Sequence, residues 1–400
     1  MRGDGSSVWD TEGRRYLDFI GGYSSCILGH NHPRLVSAAT DQLRQLTLAH
    51  SANSLQRDAF EEKLCRLMMP FIPPSKVWLT TGGARAVELA WKIAAVHRPG
   101  FVLRFDLAYH GRSLATAMLS DTARSSAVAF DTPKSLTIPF PAIPSDPRFA
   151  DSQCQLEAAC AETLEQAEQL LAKHHRHLSM LLMEPAIGSR GYYFAPSWFC
   201  KRLADLAHGY GLLVASDEIQ MGLGRMGDWS VARADAWQPD LIILGKALGG
   251  GVVSIGAVVG SASLLDALPE GIESETYAAM PLACRIGLEV LDTLDQEGWV
   301  HSARDRGDRW RDKLRTTLPE SIRVAGRGLA TVLQFADRNG WDGWGAISAK
   351  EWAIDLSRSG LLLHLTGPSR NRLAIIPPLN ASDEAMAEAL DALARKAASC

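Results

Sequence analysis

The sequence has no Cys-x-x-Cys pair. Its seven cysteines (26, 65, 154, 160, 200, 284 and 400) are odd in number and scattered along 400 residues. This argues against a disulfide framework or a zinc site and predicts a reducing, cytoplasmic setting. No window approaches eighteen uninterrupted apolar residues, so no membrane span is expected. The opening MRGDGSSVWD lacks the apolar core of a signal peptide. An excess of one charge is missing too: 41 Lys and Arg stand against 45 Asp and Glu, a formal net charge of −4. Nucleic-acid or membrane binding as the main activity has no support there. Internal repeats and low-complexity segments are also lacking.

What is present is ordinary globular composition, with 46% hydrophobic and 22% charged residues. The length predicts two domains. Short apolar runs alternate with stretches of helical period, the α/β pattern. Strands are expected at 76–81, 101–106, 178–185, 212–218, 241–246 and 255–260. Helices are expected at 83–97, 155–177, 197–211, 282–297 and 382–398, with shorter strands in ATVLQFA and RLAIIPP. Residues 120–150, rich in Ser, Pro and Thr, read as irregular. The layout suits a large central α/β domain and a second domain built from both chain ends.

Groups at the carboxyl ends of parallel strands gather on one sheet edge, where α/β proteins bind ligands. Three such ends carry unusual chemistry. TTGGARA places glycines at a strand-to-helix turn, which leaves free N–H groups and a helix dipole for an anion. Asp217 closes one apolar strand and Lys246 closes another, and neither charge is tolerable there without a partner. Asp217 and Lys246 could form a structural salt bridge, but that leaves the glycine turn unexplained. Pyridoxal phosphate satisfies all three, with a phosphate for the helix end, an aldehyde for a Schiff base with lysine, and a ring nitrogen for the carboxylate.

The run GLGRMG, residues 222–227, has the G-x-G-x-x-G spacing of a dinucleotide site. DEIQM separates it from the strand and no convincing helix follows, so the succession that motif needs is absent. GKALGG is not a phosphate loop either, because Asp240 holds the upstream glycine position and Ala247 replaces the Ser or Thr after the lysine. His30 and His32, and the group His174, His175 and His177, lack matching carboxylate or cysteine geometry, so no metal site is expected.

Taken in order, VWDTEGRRYLDF, LGHNHPRLVSA, TTGGARAVE, AYHGRSL, MEPAIGSRG, SDEIQMGLGRMGDW, PDLIILGKALGGG, TYAAMPLAC, RGLATVLQF and LAIIPPLN resemble the class III aminotransferases of the fold-type I pyridoxal-phosphate enzymes. Within them the likeness is greatest to ornithine aminotransferases. The resemblance implies a large domain (45–285) with a mainly parallel seven-stranded sheet between helices. A small α+β domain (1–44 and 286–400) would come from both chain ends.

It also implies roles by position. Lys246 would form the Schiff base and then act as base and acid. Asp217 would hold the pyridine N–H, and Gln220 would lie near the ring's 3′-oxygen. Gly83 and Ala84 would give N–H groups to the phosphate, and Tyr109 would stack on the ring. Thr276 would reach the phosphate from the partner subunit of a homodimer. Tyr23 and Arg112 match substrate-contacting positions.

The implied reaction is ping-pong transfer of a terminal or side-chain amino group between an amine donor and an oxo acceptor. A decarboxylase, epimerase or cyclase on the same cofactor remains open, as does a non-catalytic protein that keeps the fold.

The pattern breaks where relatives grip a substrate carboxylate. The arginine expected three residues before the paired prolines is Ala374, and the glutamate expected in the EP…G loop is Ser189. Arg190 and Arg372 neighbour these positions and read as solvated surface arginines. Arg85 replaces an acid, and Met280 replaces an asparagine.

Overall fold

The computed structural model describes residues 1–48, 55–70, 72, 74–121, 135–141, 150–335 and 344–399. Its largest sheet has seven strands: β1 (Ser75–Thr80), β2 (Phe101–Phe105), β3 (Ser135–Ile138), β4 (Leu178–Met183), β5 (Leu213–Asp217), β6 (Leu241–Leu244) and β7 (Gly256–Ser261). They lie in the order β1-β7-β6-β5-β4-β2-β3. From β6 through β3 every neighbouring pair is parallel. β7 is antiparallel to both β6 and β1, so β1 runs with the majority.

The sequence dictates this sheet by solvation. LSMLLM, LVASD and LIIL are buried at every position. Strands covered on both faces read as continuous apolar runs rather than as alternation.

Much of the segment expected to be irregular, at 122–134 and 142–149, lies outside the described residues. Within it, however, Ser135–Ile138 is a strand at the sheet edge, paired in parallel with β2. Edge strands bury less surface, and Ser135, Leu136 and Thr137 keep some exposure. The apolar signal that marks the central strands is therefore weak here.

The helix after β1, Gly83–His97, begins and ends as expected. The chain ends form two further four-stranded sheets. In one, the N-terminal strands Arg2–Asp4, Ser7–Trp9 and Arg15–Asp18 are joined by Leu361–Leu362, which pairs in parallel with Arg15–Asp18. The other is antiparallel and uses Ile322–Arg327, Ala330–Phe335, Arg372–Ile375 and His364–Thr366. One apolar cluster runs from Phe19 through Phe60, Leu244 and Val290 to Leu373 and Leu393. The sheet edge that holds Lys246 thus rests on the same packed core as both chain ends. Among the described residues no helix is long and apolar enough to cross a membrane.

Helix Pro281–Gln296 reaches this core by way of a glycine. A Cβ on Gly287 would stand 2.5 Å from Phe60 Cζ, so side-chain absence there permits the packing. Gly209, at the exposed end of helix Ser197–Gly209, has nothing within 4 Å of such a Cβ. The same substitution therefore has opposite expected signs. Gly287→Ala lowers the thermal midpoint although Ala is the better helix former by about 1 kcal/mol. Gly209→Ala raises stability by about 0.5 kcal/mol. Denaturation of both variants checks this, and equal shifts would contradict it.

Candidate active site

β1, β5 and β6 end on the same sheet edge, and a cavity of about 250 Å³ opens there, with Gly83, Ala84, Tyr109, Asp217, Gln220 and Lys246 in its wall. All three chemically unusual strand ends thus meet. His110, Arg112, Glu184 and Ile219 complete much of the lining.

The helix that starts at Gly83 has Gly82 as its N-cap, which offers no capping side chain. Its first intrahelical bond is Ala86 N–H to the Gly82 carbonyl at 3.0 Å, so the N–H groups of Gly83 and Ala84 precede the ladder. A Cβ on Gly245 would stand 3.2 Å from Gly83 Cα, and this close approach draws the Lys246 turn against the helix start. Lys246 itself has φ +42°, a left-handed conformation that costs a residue with a Cβ about 1–2 kcal/mol. Its Nζ donates to Gln220 Oε1 at 3.0 Å. Burial pushes its pKa down to about 8, while the carboxylates of Glu184 and Asp217 pull the other way.

Asp217 is buried. Its Oδ2 lies 2.7 Å from His110 Nδ1, and its Oδ1 accepts the Ile219 N–H at 3.1 Å. His110 is equally buried, and its Nε2 has no partner among the described residues. Glu184 accepts the Tyr109 N–H at 2.6 Å and the Gly188 N–H at 3.3 Å. Burial pushes its carboxyl up to about 7, with His110 opposing and Asp217 adding to the push. The sequence reading missed both residues as parts of the site. His110 stands next to Tyr109 in AYHGRSL, and Glu184 follows β4 directly, the same strand-end signal that marked Asp217.

The Gln220 amide is held from three sides. Oε1 accepts from Lys246 Nζ and from Ser189 Oγ at 2.9 Å, and Nε2 donates to the Tyr192 hydroxyl at 2.7 Å. A Cβ on Gly188 would stand 2.5 Å from Gln220 Oε1, so the glycine keeps this corner open. Tyr192 is fully buried with φ +57°, and burial pushes its phenol pKa upward.

The remaining expected residues are distributed unevenly. Arg112 lines the cavity, its guanidinium 5.8 Å from the Tyr109 ring centre. Tyr23 does not line it. Tyr23 sits in a left-handed turn (φ +57°) with its ring edge-on to His364 at 4.9 Å. Burial, and then the nearby charge of Lys246, push His364 down to about 4, so the ring against Tyr23 is neutral near pH 7. Thr276 lies outside the cavity too, in an open groove of about 800 Å³ with Glu273 and Glu275.

The charge reversal at Arg85 is balanced by that same segment: Arg85 pairs with Glu273 at 2.6 Å and Glu275 at 3.4 Å, and with Glu88 on its own helix.

The reading of Arg372 as a solvated surface residue is wrong. It is only 2% exposed, because Arg372–Ile375 is an inner strand of its sheet. Its guanidinium lies over the Tyr193 ring at 3.9 Å and donates to the Gly191 carbonyl and to Gln334 Oε1. Arg190 is half-buried and pairs with Asp121 at 2.7 Å. Ala374 packs in an apolar cluster with Ala186, Tyr192, Met221 and Ile376.

An uncapped helix start for a phosphate, a buried carboxylate for a ring nitrogen and an amine of lowered pKa between them fit pyridoxal phosphate. The wider comparisons agree. The family model for class-III aminotransferases matches residues 1–396. The 4-aminobutyrate aminotransferase GabT of Escherichia coli is 30% identical over 98% of this chain and 92% of its own. The ornithine aminotransferase of Emericella nidulans is 29% identical over 98% and 84%. The crystal structure of the ornithine aminotransferase from Toxoplasma gondii superposes with a TM-score of 0.84 at 29% identity, over 100% of this chain and 90% of that one. With its fold, its cavity and its motifs in agreement, the chain belongs to the class III aminotransferases, enzymes that transfer amino groups with pyridoxal phosphate.

Proposed function

We propose that this enzyme moves a terminal or side-chain amino group, by a ping-pong route, from an amine donor to an oxo acid, with Lys246 as its central residue. The carrying observation is the meeting of the Lys246 amine, the Asp217 carboxylate and the Gly83–Ala84 helix start on one cavity. When bound, pyridoxal phosphate supplies a carbonyl carbon that takes up the amino group and a ring that withdraws electrons.

The chain's own groups do the rest. Gly83 and Ala84 N–H receive the phosphate, and Tyr109 covers the ring. Asp217, braced by His110 and the Ile219 N–H, keeps the ring nitrogen protonated. Lys246 would hold the cofactor and, once free, move one proton at Nζ, taking it from the amine-bearing carbon of the substrate and giving it up to the former carbonyl carbon of the cofactor. Gln220 would lie near the ring oxygen of the bound cofactor. Arg112 on the cavity rim receives the distal carboxylate of the oxo acid, and Tyr23 with His364 forms an outer wall for the donor.

Support for a terminal amine comes from two sides. Ala374 and Ser189 put no charge where relatives grip a carboxylate beside the reacting carbon. The GabT relative is named for 4-aminobutyrate, whose amine is terminal. We further propose a cytoplasmic homodimer divided at 45–285 and 1–44 with 286–400. The six cysteines among the described residues are all free thiols, which suits a reducing compartment. The position of Thr276 outside its own cavity suits a residue that serves the partner's phosphate.

Three outcomes are expected. Lys246→Ala abolishes the amine half-reaction and Asp217→Asn slows it by about 10²-fold or more, while both still bind cofactor. In the unsubstituted enzyme the proton carrier must be the neutral amine. The half-reaction rate therefore climbs with pH and levels off above about 8, and stopped-flow traces that are flat between pH 6 and 9 would contradict that.

Donor choice is the second test. Glutamate should be at least about tenfold poorer in kcat/KM than a primary amine lacking a neighbouring carboxylate, as loss of one charge-assisted contact implies. Equal efficiency, with Ala374→Arg changing nothing, would sink the substrate assignment. Thirdly, sedimentation should show a dimer, and Thr276→Val should weaken cofactor affinity by about tenfold, the worth of one hydrogen bond to a charged phosphate.

A further inference from the structure

Gln220 carries two donors and one acceptor on a single rotatable amide, so which end faces Lys246 is a chemical choice. Lys246 makes that choice, because its ammonium offers only donors and so takes the oxygen. Ser189 Oγ donates to Oε1 at 2.9 Å, and the Tyr192 hydroxyl accepts from Nε2 at 2.7 Å. Both hydroxyls can donate or accept, and in these roles they hold the amide with its oxygen 3.0 Å from Lys246 Nζ. A carboxylate at position 189 could only accept a hydrogen bond, so it would favour the opposite orientation. The serine that departs from the family pattern therefore has a consequence at the lysine.

Tyr192 strengthens the case. It is wholly buried in a left-handed backbone conformation, φ +57°, where a bulky residue is retained only if its surroundings fix it. Its ring lies in the apolar cluster that contains Ala374, and its edge meets His364 at 6.5 Å. The polar end of that ring contacts the Gln220 amide. Gly188 leaves the amide just enough room.

We propose that Ser189 and Tyr192 are paired positioning residues that orient the Gln220 amide so that its oxygen faces Lys246. This rests on the reading that Gln220 belongs to the cofactor site. The pair gives the free lysine amine a fixed acceptor whenever it is released from the cofactor. An acceptor at 3.0 Å favours the ammonium form, so loss of the orientation makes the lysine easier to deprotonate.

The test uses the full-length chain stripped of cofactor. The rate at which it captures added pyridoxal phosphate, followed by the visible band, rises with pH as Lys246 loses its proton. Its midpoint is measured for the unsubstituted chain and for Ser189→Ala, Tyr192→Phe, the double variant and Gln220→Ala, with thermal midpoints alongside. Each single variant should shift the capture midpoint downward by about half to one unit, the worth of part of a charge-assisted hydrogen bond. The double variant should move no further than Gln220→Ala. A merely structural role would lower the thermal midpoint and leave the capture midpoint in place.

If Gln220→Ala shifts the midpoint and the other two do not, the positioning proposal is overturned while Gln220 keeps its place in the site. If Gln220→Ala shifts nothing, both readings fall. Should Tyr192→Phe fail to fold, Ser189→Ala, which loses one hydroxyl and keeps its backbone bond to Thr366, decides alone.

Discussion

An ammonium, two carboxylates and an open helix terminus share one cavity at the sheet edge, and the rest of the molecule is arranged so that they can. Each group would be intolerable there by itself. Asp217 is held by His110 and a backbone N–H, Glu184 by two backbone N–H groups, and Lys246 by the amide of Gln220. The parallel sheet supplies the geometry, because it alone brings residues nearly thirty positions apart to the same edge. The opposing pulls on Lys246 and Glu184, both displaced toward neutrality by burial, are what a site for proton transfer near pH 8 requires.

Holding that arrangement takes strained backbone. Tyr23, Tyr192 and Lys246 all adopt left-handed conformations. Each follows a glycine in the chain, and at Gly191 and Gly245 a Cβ would stand 2.5 Å from the Tyr193 ring and 3.2 Å from Gly83 Cα. Tyr23 lies one residue before Ser24, whose hydroxyl accepts from the buried guanidinium of Arg225. That arginine also donates to the Pro377 carbonyl at 2.6 Å. The arginine of GLGRMG thus ties the turn that carries Tyr23 to the paired prolines after the inner strand. The glycine run that mimics a nucleotide motif shapes this joint, with Gly224 at φ +89° and Gly227 at φ +86°.

Much of this was legible in the sequence for physical reasons. Strands buried on both faces are continuous apolar runs, so β4, β5 and β6 stood out, and charges at their ends stood out with them. Gly83–His97 was marked by its period and its opening glycines. What escaped was chemistry without a local signature. His110 reads like any polar residue in a loop until Asp217, 107 positions later, is set beside it. Arg372 looked like a surface cation because its strand's depth depends on partners far along the chain. β3 was masked by its own polar edge and by the Ser- and Pro-rich residues around it. The resemblance to known enzymes supplied Thr276, which no local pattern in the residues could have singled out.

The joint change at positions 189 and 374 has a structural logic of its own. Ala374 lies on an inner strand, fully buried, between Val332 and His364 in register, and its side chain sits among Ala186, Tyr192 and Met221. A guanidinium placed there would need a carboxylate or a substrate to pair with, and Ser189 provides neither. Tyr192 packs beside Ala374 there, and the His364 ring meets it edge-on at 6.5 Å. On the proposed function, neutral groups on this side would disfavour charge beside the reacting carbon, while Arg112 in the cavity lining would receive a carboxylate elsewhere. The asymmetry suits two half-reactions with different demands, an amine donor that brings little charge and an acceptor that brings a distal carboxylate. On the proposed function the loss of the arginine would redistribute where substrate charge is received, and the Gln220 amide, with Ser189 rather than a carboxylate beside it, would keep its oxygen for the lysine.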